Sequence, residues 1–371
     1  MTTKAAFAPK YKLIYDQLRS SILAGSYGPG DRLPTEVALV ERFGASRTTV
    51  IRALRELEHS GLLRRRQGSG SYATAKPPVQ RQLFGLIVPS MGGEQRSDSI
   101  FYKIYDDLAS MAHHRGAAIL FGARADTGED SPGRLLSVVE QMIAHKVTGV
   151  FYVPQSIRGA LGEVNLQVTR LLTNRGISIV LLDRDIYEFP RRSKFDLVSV
   201  DNQCGGYLLG VHLAEVGCKR IAFIGGPTAS TITARAMGIT LALEERGLSL
   251  NKKWGSLSSE PSLQTMRQLL AEAKPDAIVC DHDALAARIM RHVLALGIRI
   301  PHDLKIVGFD DSAASPLLPV PLTTVRQPTR ALASFAIRAM LDRVEDTNLP
   351  ERQILVGGEL VIRQSSSLEA I

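Results

Sequence analysis

Cysteine is scarce in this chain. Cys204, Cys218 and Cys280 are scattered and odd in number, so they make neither a disulfide framework nor a zinc-binding spacing. That usage suits a reducing compartment, and the cytoplasm is the expected location. Long apolar runs are missing too: none reaches the roughly 18 residues of a membrane span. Met1 to Pro9 lack the apolar core of a secretory signal. Gly68 and Gly70 precede a strand pattern and lack the Lys-Ser/Thr ending of a phosphate loop, and Gly225-Gly226-Pro227 does not complete a dinucleotide fingerprint. There is no nucleophile elbow and no metal-ligand cluster. The residues therefore give no support to an enzyme, and neither a cofactor nor a metal is expected. The single tryptophan, Trp254, falls in a loop pattern, where packing is its plainest role.

What is present is unevenly distributed. Residues 1–75 hold 12 Lys/Arg against 6 Asp/Glu, whereas the rest of the 371-residue chain holds 33 against 31. The positive field is thus concentrated at the N-terminal end, as phosphate binding requires. There, Leu13, Ile14, Leu18, Ile22 and Leu23 predict a helix over 10–25. Pro34-Thr35-Glu36 opens a second, short helix, which Gly44-Ala45 breaks. Ser46 offers a hydroxyl cap to a third helix that runs to about His59, with Val50, Ala53, Leu54 and Leu57 on one apolar face. Arg47, Thr48, Thr49 and Arg52 occupy its first turn and a half. Two short strands follow, hinged at Gly68-Ser69-Gly70, with Arg64, Arg65 and Arg66 on the stem. Two helices joined by a tight turn, the second starting with cations and hydroxyls, make the layout that reads a DNA major groove.

Residues 9–74 resemble the winged-helix domain of GntR-type transcription factors. The likeness is carried by Leu33-Pro34-Thr35-Glu36, Phe43, Ser46-Arg47, Thr49-Val50, Ala53-Leu54, Gly61-Leu62 and Gln67-Gly68-Ser69-Gly70. One position departs: Ile51 stands where the family usually has arginine, and Arg52 follows. The resemblance implies DNA contacts from Thr35, Glu36, Ser46, Arg47, Thr48, Thr49, Arg52, Arg66 and Gly68. Exposed basic helix residues are ordinarily only solvated, but here the whole motif surrounds them.

Two prolines among polar residues mark a linker at 76–82. From Leu83 short apolar runs alternate with helical patterns, the signature of α/β architecture with parallel sheets covered on both faces. Eight runs predict two lobes of four strands each, divided near 188–196, with chain crossovers near 321–327 and 348–358. Ligands of such sheets bind beyond the carboxyl ends of the strands. The polar groups at those places include Asp183-Arg184, Arg235, Asp281-His282-Asp283 and Asp310-Asp311.

Residues 83–366 resemble the effector domain of LacI-type repressors, itself similar to periplasmic sugar-binding proteins. The carrying stretches include Leu182-Asp183-Arg184, Val200-Asp201-Asn202, Arg220 to Gly226, Arg235 with Gly238, Val307 to Asp311 and Pro321 to Val325. The resemblance implies an N-terminal winged helix-turn-helix (1–75) joined to a two-lobed periplasmic-binding-protein-like domain with doubly wound parallel sheets (83–371), a pairing of arabinose-type repressors. It also implies a homodimer on a palindromic double-stranded operator, released by a small carbohydrate, with no membrane partner. A purine or sugar-phosphate effector is the alternative, and a solute-binding receptor a more distant one.

Carried over residue by residue, the effector contacts are Phe101 and Tyr102 as stacking platforms, then Asp183, Arg184, Arg235, His282, Asp310 and Gln327. The family commonly has asparagine where His282 stands. Two acids against two arginines would leave the polar set neutral, which suits a neutral polyol. Each residue also has a plainer reading. Asp183 and Asp310 suit turns or helix caps, the arginines suit bridges between lobes, and one of Phe101 and Tyr102 suits the core. Asp283 is expected to cap the helix after it.

Overall fold

The computed structural model describes residues 10–23, 26–66, 69–74, 82–88, 100–122, 132–154, 160–188, 190–226, 229–253 and 261–367. Gly68, Trp254 and residues 75–81 of the linker region lie outside them. The chain divides into two compact units, 1–81 and 82–371.

In the first unit, α1 (Lys10–Leu23), α2 (Glu36–Phe43) and α3 (Arg47–His59) precede an antiparallel hairpin of β1 (Leu63–Arg66) and β2 (Gly70–Ala73). Local chemistry sets the helix boundaries. The Thr35 hydroxyl accepts from the Ala38 N–H at 3.3 Å, and Gly44 closes α2 with φ +53°, a conformation glycine adopts without strain. Ser46 Oγ accepts from the Thr49 N–H at 3.2 Å and so starts α3. Val50, Ala53, Leu54 and Leu57 turn inward against Ile14, Leu18 and Leu39, the face expected from their spacing. Leu13, also expected inward, is exposed.

The second unit runs, in chain order, β3 (Leu83–Ile87), α4 (Ile100–His114), β4 (Ala118–Phe121), α5 (Pro132–Ala144), β5 (Gly149–Tyr152), α6 (Ala160–Thr173), β6 (Ser178–Leu182) and β7 (Asp196–Val200). Then come α7 (Asn202–Glu215), β8 (Ile221–Ile224), α8 (Ser230–Glu244), β9 (Leu250–Asn251), α9 (Leu263–Ala273), β10 (Ala277–Cys280) and α10 (Asp283–Ala295). Last are β11 (Lys305–Val307), β12 (Thr324–Arg326), α11 (Thr329–Glu345), β13 (Gln353–Val356) and β14 (Glu359–Val361).

Two parallel sheets result. One has six strands in the order β13-β7-β6-β5-β3-β4; the other has four, β11-β10-β8-β9. Each is covered on both faces. Helices α4 and α11 pack on one side of the larger sheet and α5 and α6 on the other, while α9 and α10 oppose α7 and α8 across the smaller.

This corrects the expected four-plus-four division. The strand ending at Val200 belongs to the first sheet, in register with β6, so the chain changes lobe after it, at the Asp201 cap of α7. The chain comes back through 321–327. There Gly308 and Asp310 donate their N–H groups to the Thr323 and Val325 carbonyls, and α11 then packs into the larger lobe. It leaves again through β13 and β14, the latter pairing antiparallel with β12.

Candidate functional site

On the first unit the exposed groups of α3 gather around α2. Ser46 Oγ lies 2.9 Å from Thr48 Oγ1 and 2.7 Å from Thr49 Oγ1, tying three of the expected contact residues together. Glu36 takes two arginines: Arg47 Nε at 3.2 Å and Arg65 Nη2 at 2.5 Å. An acid beside DNA repels phosphate, but one that fixes two guanidinium groups orients the cations that bind it. Arg52 lies over the Tyr11 ring at 3.9 Å and Arg66 over Tyr72 at 5.4 Å. Stacking leaves the polar edge of each guanidinium outward. Arg65, expected on the hairpin stem, and Tyr11 were not among the expected DNA contacts; the folded hairpin and the α1–α3 crossing bring them to this surface.

In the second unit the groups at the carboxyl ends of both sheets converge. Asp183 follows β6 with φ +68°, and its Oδ2 accepts from Arg184 Nε at 2.7 Å. Asp310 follows β11 with φ +121°, and its Oδ1 accepts from Gln327 Nε2 at 2.6 Å. Backbone held in such sparsely populated conformations clusters at binding sites, because the surrounding fold must over-determine it. Burial raises the Asp310 pKa, opposed by Arg235 and the Gln327 hydrogen bond and reinforced by the charges of Asp183 and Asp281. An Asp from the larger lobe and another from the smaller thus act on one another across the cleft. Lys103, on α4, spans the same gap, donating to the Asp311 carbonyl at 3.0 Å. Sequence reasoning passed over it because a lone lysine beside Tyr102 carries no spacing signal.

Arg235 is the buried hub. Its Nε donates to Asn202 Oδ1 at 2.8 Å, its Nη1 donates to the Asp281 carbonyl, and its face covers Phe309 at 3.6 Å. Glycines make this possible. A Cβ on Gly238 would lie 1.9 Å from the Gln203 carbonyl oxygen, and one on Gly206 would lie 2.1 Å from that of Arg235. Helices α7 and α8 therefore touch backbone to backbone, which places Arg235 against Asn202.

Two expectations change here. His282, not Asp283, caps α10: its Nδ1 accepts from the Leu285 N–H at 2.9 Å. Asp283 is the first helical residue and is buried. Its Oδ1 accepts from Thr324 Oγ1 at 2.6 Å, and its Oδ2 accepts from the Ser312 N–H at 2.8 Å and Ser315 Oγ at 2.6 Å. The swap follows from the β10 end, where the Asp283 N–H is already given to the Phe309 carbonyl and the side chain turns inward. Phe101 packs on the core of the larger lobe, while Tyr102 remains half-buried on the next position of α4. A cavity of about 390 Å³ opens between the lobes, lined by Asp183, Arg184, Asn202, Ser230, Thr231 and Met237 among others; of the expected effector contacts only Asp183 and Arg184 line it, and Phe101, Tyr102, Arg235, His282, Asp310 and Gln327 do not. That is the size range of small-ligand sites, about 300–1,000 Å³.

Residues 10–72 match the model of the bacterial regulatory proteins of the gntR family, and residues 211–366 match that of the periplasmic binding protein-like domain. The head is thus similar to the GntR-type model and the second half of the body to the periplasmic-binding-protein-like one. An arabinose metabolism transcriptional repressor from Geobacillus stearothermophilus is 28% identical over 375 residues, spanning 96% of this chain and 98% of the relative. Among solved structures, the complex of the transcriptional regulator CelR with cellobiose superposes with a TM-score of 0.65 at 21% identity, covering 96% of this chain and all of that one. A LacI-type regulator from Alkaliphilus metalliredigens, complexed with D-xylulofuranose, gives 0.61 at 22% identity, covering 77% and 99%. Among the described residues no helix of this chain is long and apolar enough to cross a membrane.

Proposed function

We propose that this chain is a transcriptional repressor of carbohydrate-use genes that leaves its operator when a small sugar-like effector enters the cleft of the body. The observation that carries the reading is the convergence of Asp183 from one lobe with Arg235, Asp310 and Gln327 at the other, around a fixed set of donors and acceptors. Hydroxyl-rich ligands need such groups, and a site built to bond hydroxyls rejects analogues that lack them. The full-length likeness to a repressor of arabinose metabolism supports the same reading. The protein acts as a homodimer that presents two winged heads to a palindromic duplex. Effector that binds one arrangement of the lobes more tightly than the other shifts the population and so the spacing of the heads.

The test pairs two measurements. A thermal-shift panel of sugars, sugar phosphates and purines should show a rise in melting temperature for a sugar, since a ligand bound only to the native state stabilises it by mass action. Operator fragments in a mobility-shift titration should bind the wild type and lose at least about ten-fold in affinity with Arg47→Ala, the range of one base-reading arginine. The Arg47 ion pair with Glu36 is exposed, so that variant should melt like the parent. A panel with no sugar hit, or an Arg47→Ala variant that binds operator normally, would refute the corresponding half of the reading.

A further inference from the structure

Helix α3 keeps one of its apolar side chains out of the core. Val50, Ala53, Leu54 and Leu57 are buried within the head. Ile51 is only half-buried. Tyr15, Tyr27, Val40 and Phe43 are half-buried too, but they pack against that core, and among the described residues Ile51 is not one of those that do. It lies instead on the outer side of α3, where Thr48, Ile51, Arg52 and Arg55 line a shallow concave surface with Glu56 and Ser60. Helix propensity does not account for it either. A β-branched side chain is a poorer helix former than the alanine, lysine or arginine that a solvated position accepts equally well.

The surroundings say what such a side chain can meet. Arg47 and Arg52 flank it with exposed guanidinium groups, Arg47 held by Glu36 and Arg52 by Glu56 and the Tyr11 ring. Cations of this kind bond phosphates and polar base edges. Isoleucine has neither a donor nor an acceptor. In the major groove guanine, cytosine and adenine offer it only polar edges, whereas thymine alone offers a C5-methyl group. Against thymine Ile51 gains an apolar contact. Against any other base it strips water from a polar edge and returns no hydrogen bond.

We infer that Ile51 is a specificity-determining residue of the head, whose side chain reads the C5-methyl group of one thymine in each half-site of the operator. This rests on the DNA-binding reading above, with α3 in the major groove. The arginines supply affinity and orientation, and Ile51 fixes the base beside them.

The experiment uses the full chain and the duplex that the wild type selects from a random-sequence library. Each thymine of that duplex is replaced singly by deoxyuridine, which differs only in lacking the methyl group. Dissociation constants are measured by mobility shift at one salt concentration, for the wild type, Ile51→Ala and Ile51→Val. One replacement in each half-site should weaken the wild type about four-fold, the worth of one buried methyl group. Ile51→Ala should bind the thymine and deoxyuridine forms of that position alike, while Ile51→Val should keep most of the preference. Alanine disturbs no core contact of the head and favours the helix, so the variant should melt like the parent. A duplex in which no replacement weakens the wild type overturns the inference and leaves the DNA-binding repressor standing. A methyl preference that survives Ile51→Ala overturns it too, as does a variant that weakens every duplex equally and keeps the wild-type ratio between them. If the wild type selects no duplex at all, the inference and the DNA-binding reading fall together.

Discussion

Asp310 shows how one side chain couples the site to pH. Burial is the largest influence and raises its pKa; Arg235 and the Gln327 hydrogen bond oppose this, while Asp183 and Asp281 add to it. Asp283 is raised as well, by burial first and then by Asp310 itself. A carboxyl with a raised folded-state pKa keeps its proton where the unfolded chain has lost it. Its contribution is therefore fully present below the ordinary carboxylate pKa and is lost as pH rises through the folded value. Stability of the body should decline from mildly acidic pH towards neutrality. Asp310→Asn should flatten that decline, and should melt no lower than the parent at neutral pH. It should also abolish the melting shift caused by sugar. A variant that keeps both the slope and the sugar response would place the proton and the ligand elsewhere. His282 carries the opposite lesson at this scale. The sequence offers its imidazole to a ligand, yet the open end of α10 takes one of its two ring nitrogens first.

At the scale of elements, two contacts hold the site in place. The first is the glycine-lined crossing of α7 and α8. Gly238→Ala adds a single methyl where the Gln203 carbonyl already stands, and backbone on both sides leaves it no flexible neighbour to displace. Such overpacking costs about 1–3 kcal/mol or more. The variant should melt lower, and because the helices must part, it should also lose sugar response by misplacing Arg235 against Asn202. The second is the Asp196 clamp. This fully buried carboxylate opens β7 and accepts from Arg343 Nη2 at 2.8 Å and Arg352 Nη2 at 2.9 Å, pinning α11 and the entry to β13 onto one strand. Burial alone would raise its pKa, but the hydrogen bonds from Arg352 and Arg343 outweigh it and hold it low. Its stabilisation is thus complete above the ordinary carboxylate pKa and lost as pH falls through the depressed value. Asp196→Ala leaves two arginines facing a vacant pocket and should destabilise the body by about 3–5 kcal/mol in urea denaturation. A loss under 1 kcal/mol would mean that the clamp is dispensable.

For the whole molecule, the division into units at 1–81 and 82–371 has a thermodynamic consequence. Each unit has its own apolar core, that of the head built from Ile14, Leu18, Leu39, Val50 and Leu54. Scanning calorimetry of the full chain should resolve two transitions. Effector at 100 times its dissociation constant should raise only the body's transition, by the equivalent of about 2.7 kcal/mol, while operator DNA should raise that of the head. One cooperative transition moved equally by both ligands would show that the units fold as one.

Local pattern was enough to determine much of this protein. The Thr35 and Ser46 caps, the inward face of α3 and the run of apolar strands from Leu83 depend on neighbours within a few positions, and those neighbours are written in order. The α11 segment was missed, although its Leu332, Ala333, Ala336, Ile337 and Met340 recur at helical spacing, because the strand-helix alternation offered no place for it. Sheet membership was not legible, because β7 reads as an apolar strand whichever lobe it joins. The choice is made by hydrogen bonds to β6 and β13, the latter more than 150 residues away. Nor were the polar partnerships. Arg235 meeting Asn202 and Glu36 gathering Arg47 and Arg65 are outcomes of long-range packing. Charge and hydrogen-bonding capacity belong to the residue; only the tertiary structure decides which of them are already satisfied and which remain for a ligand.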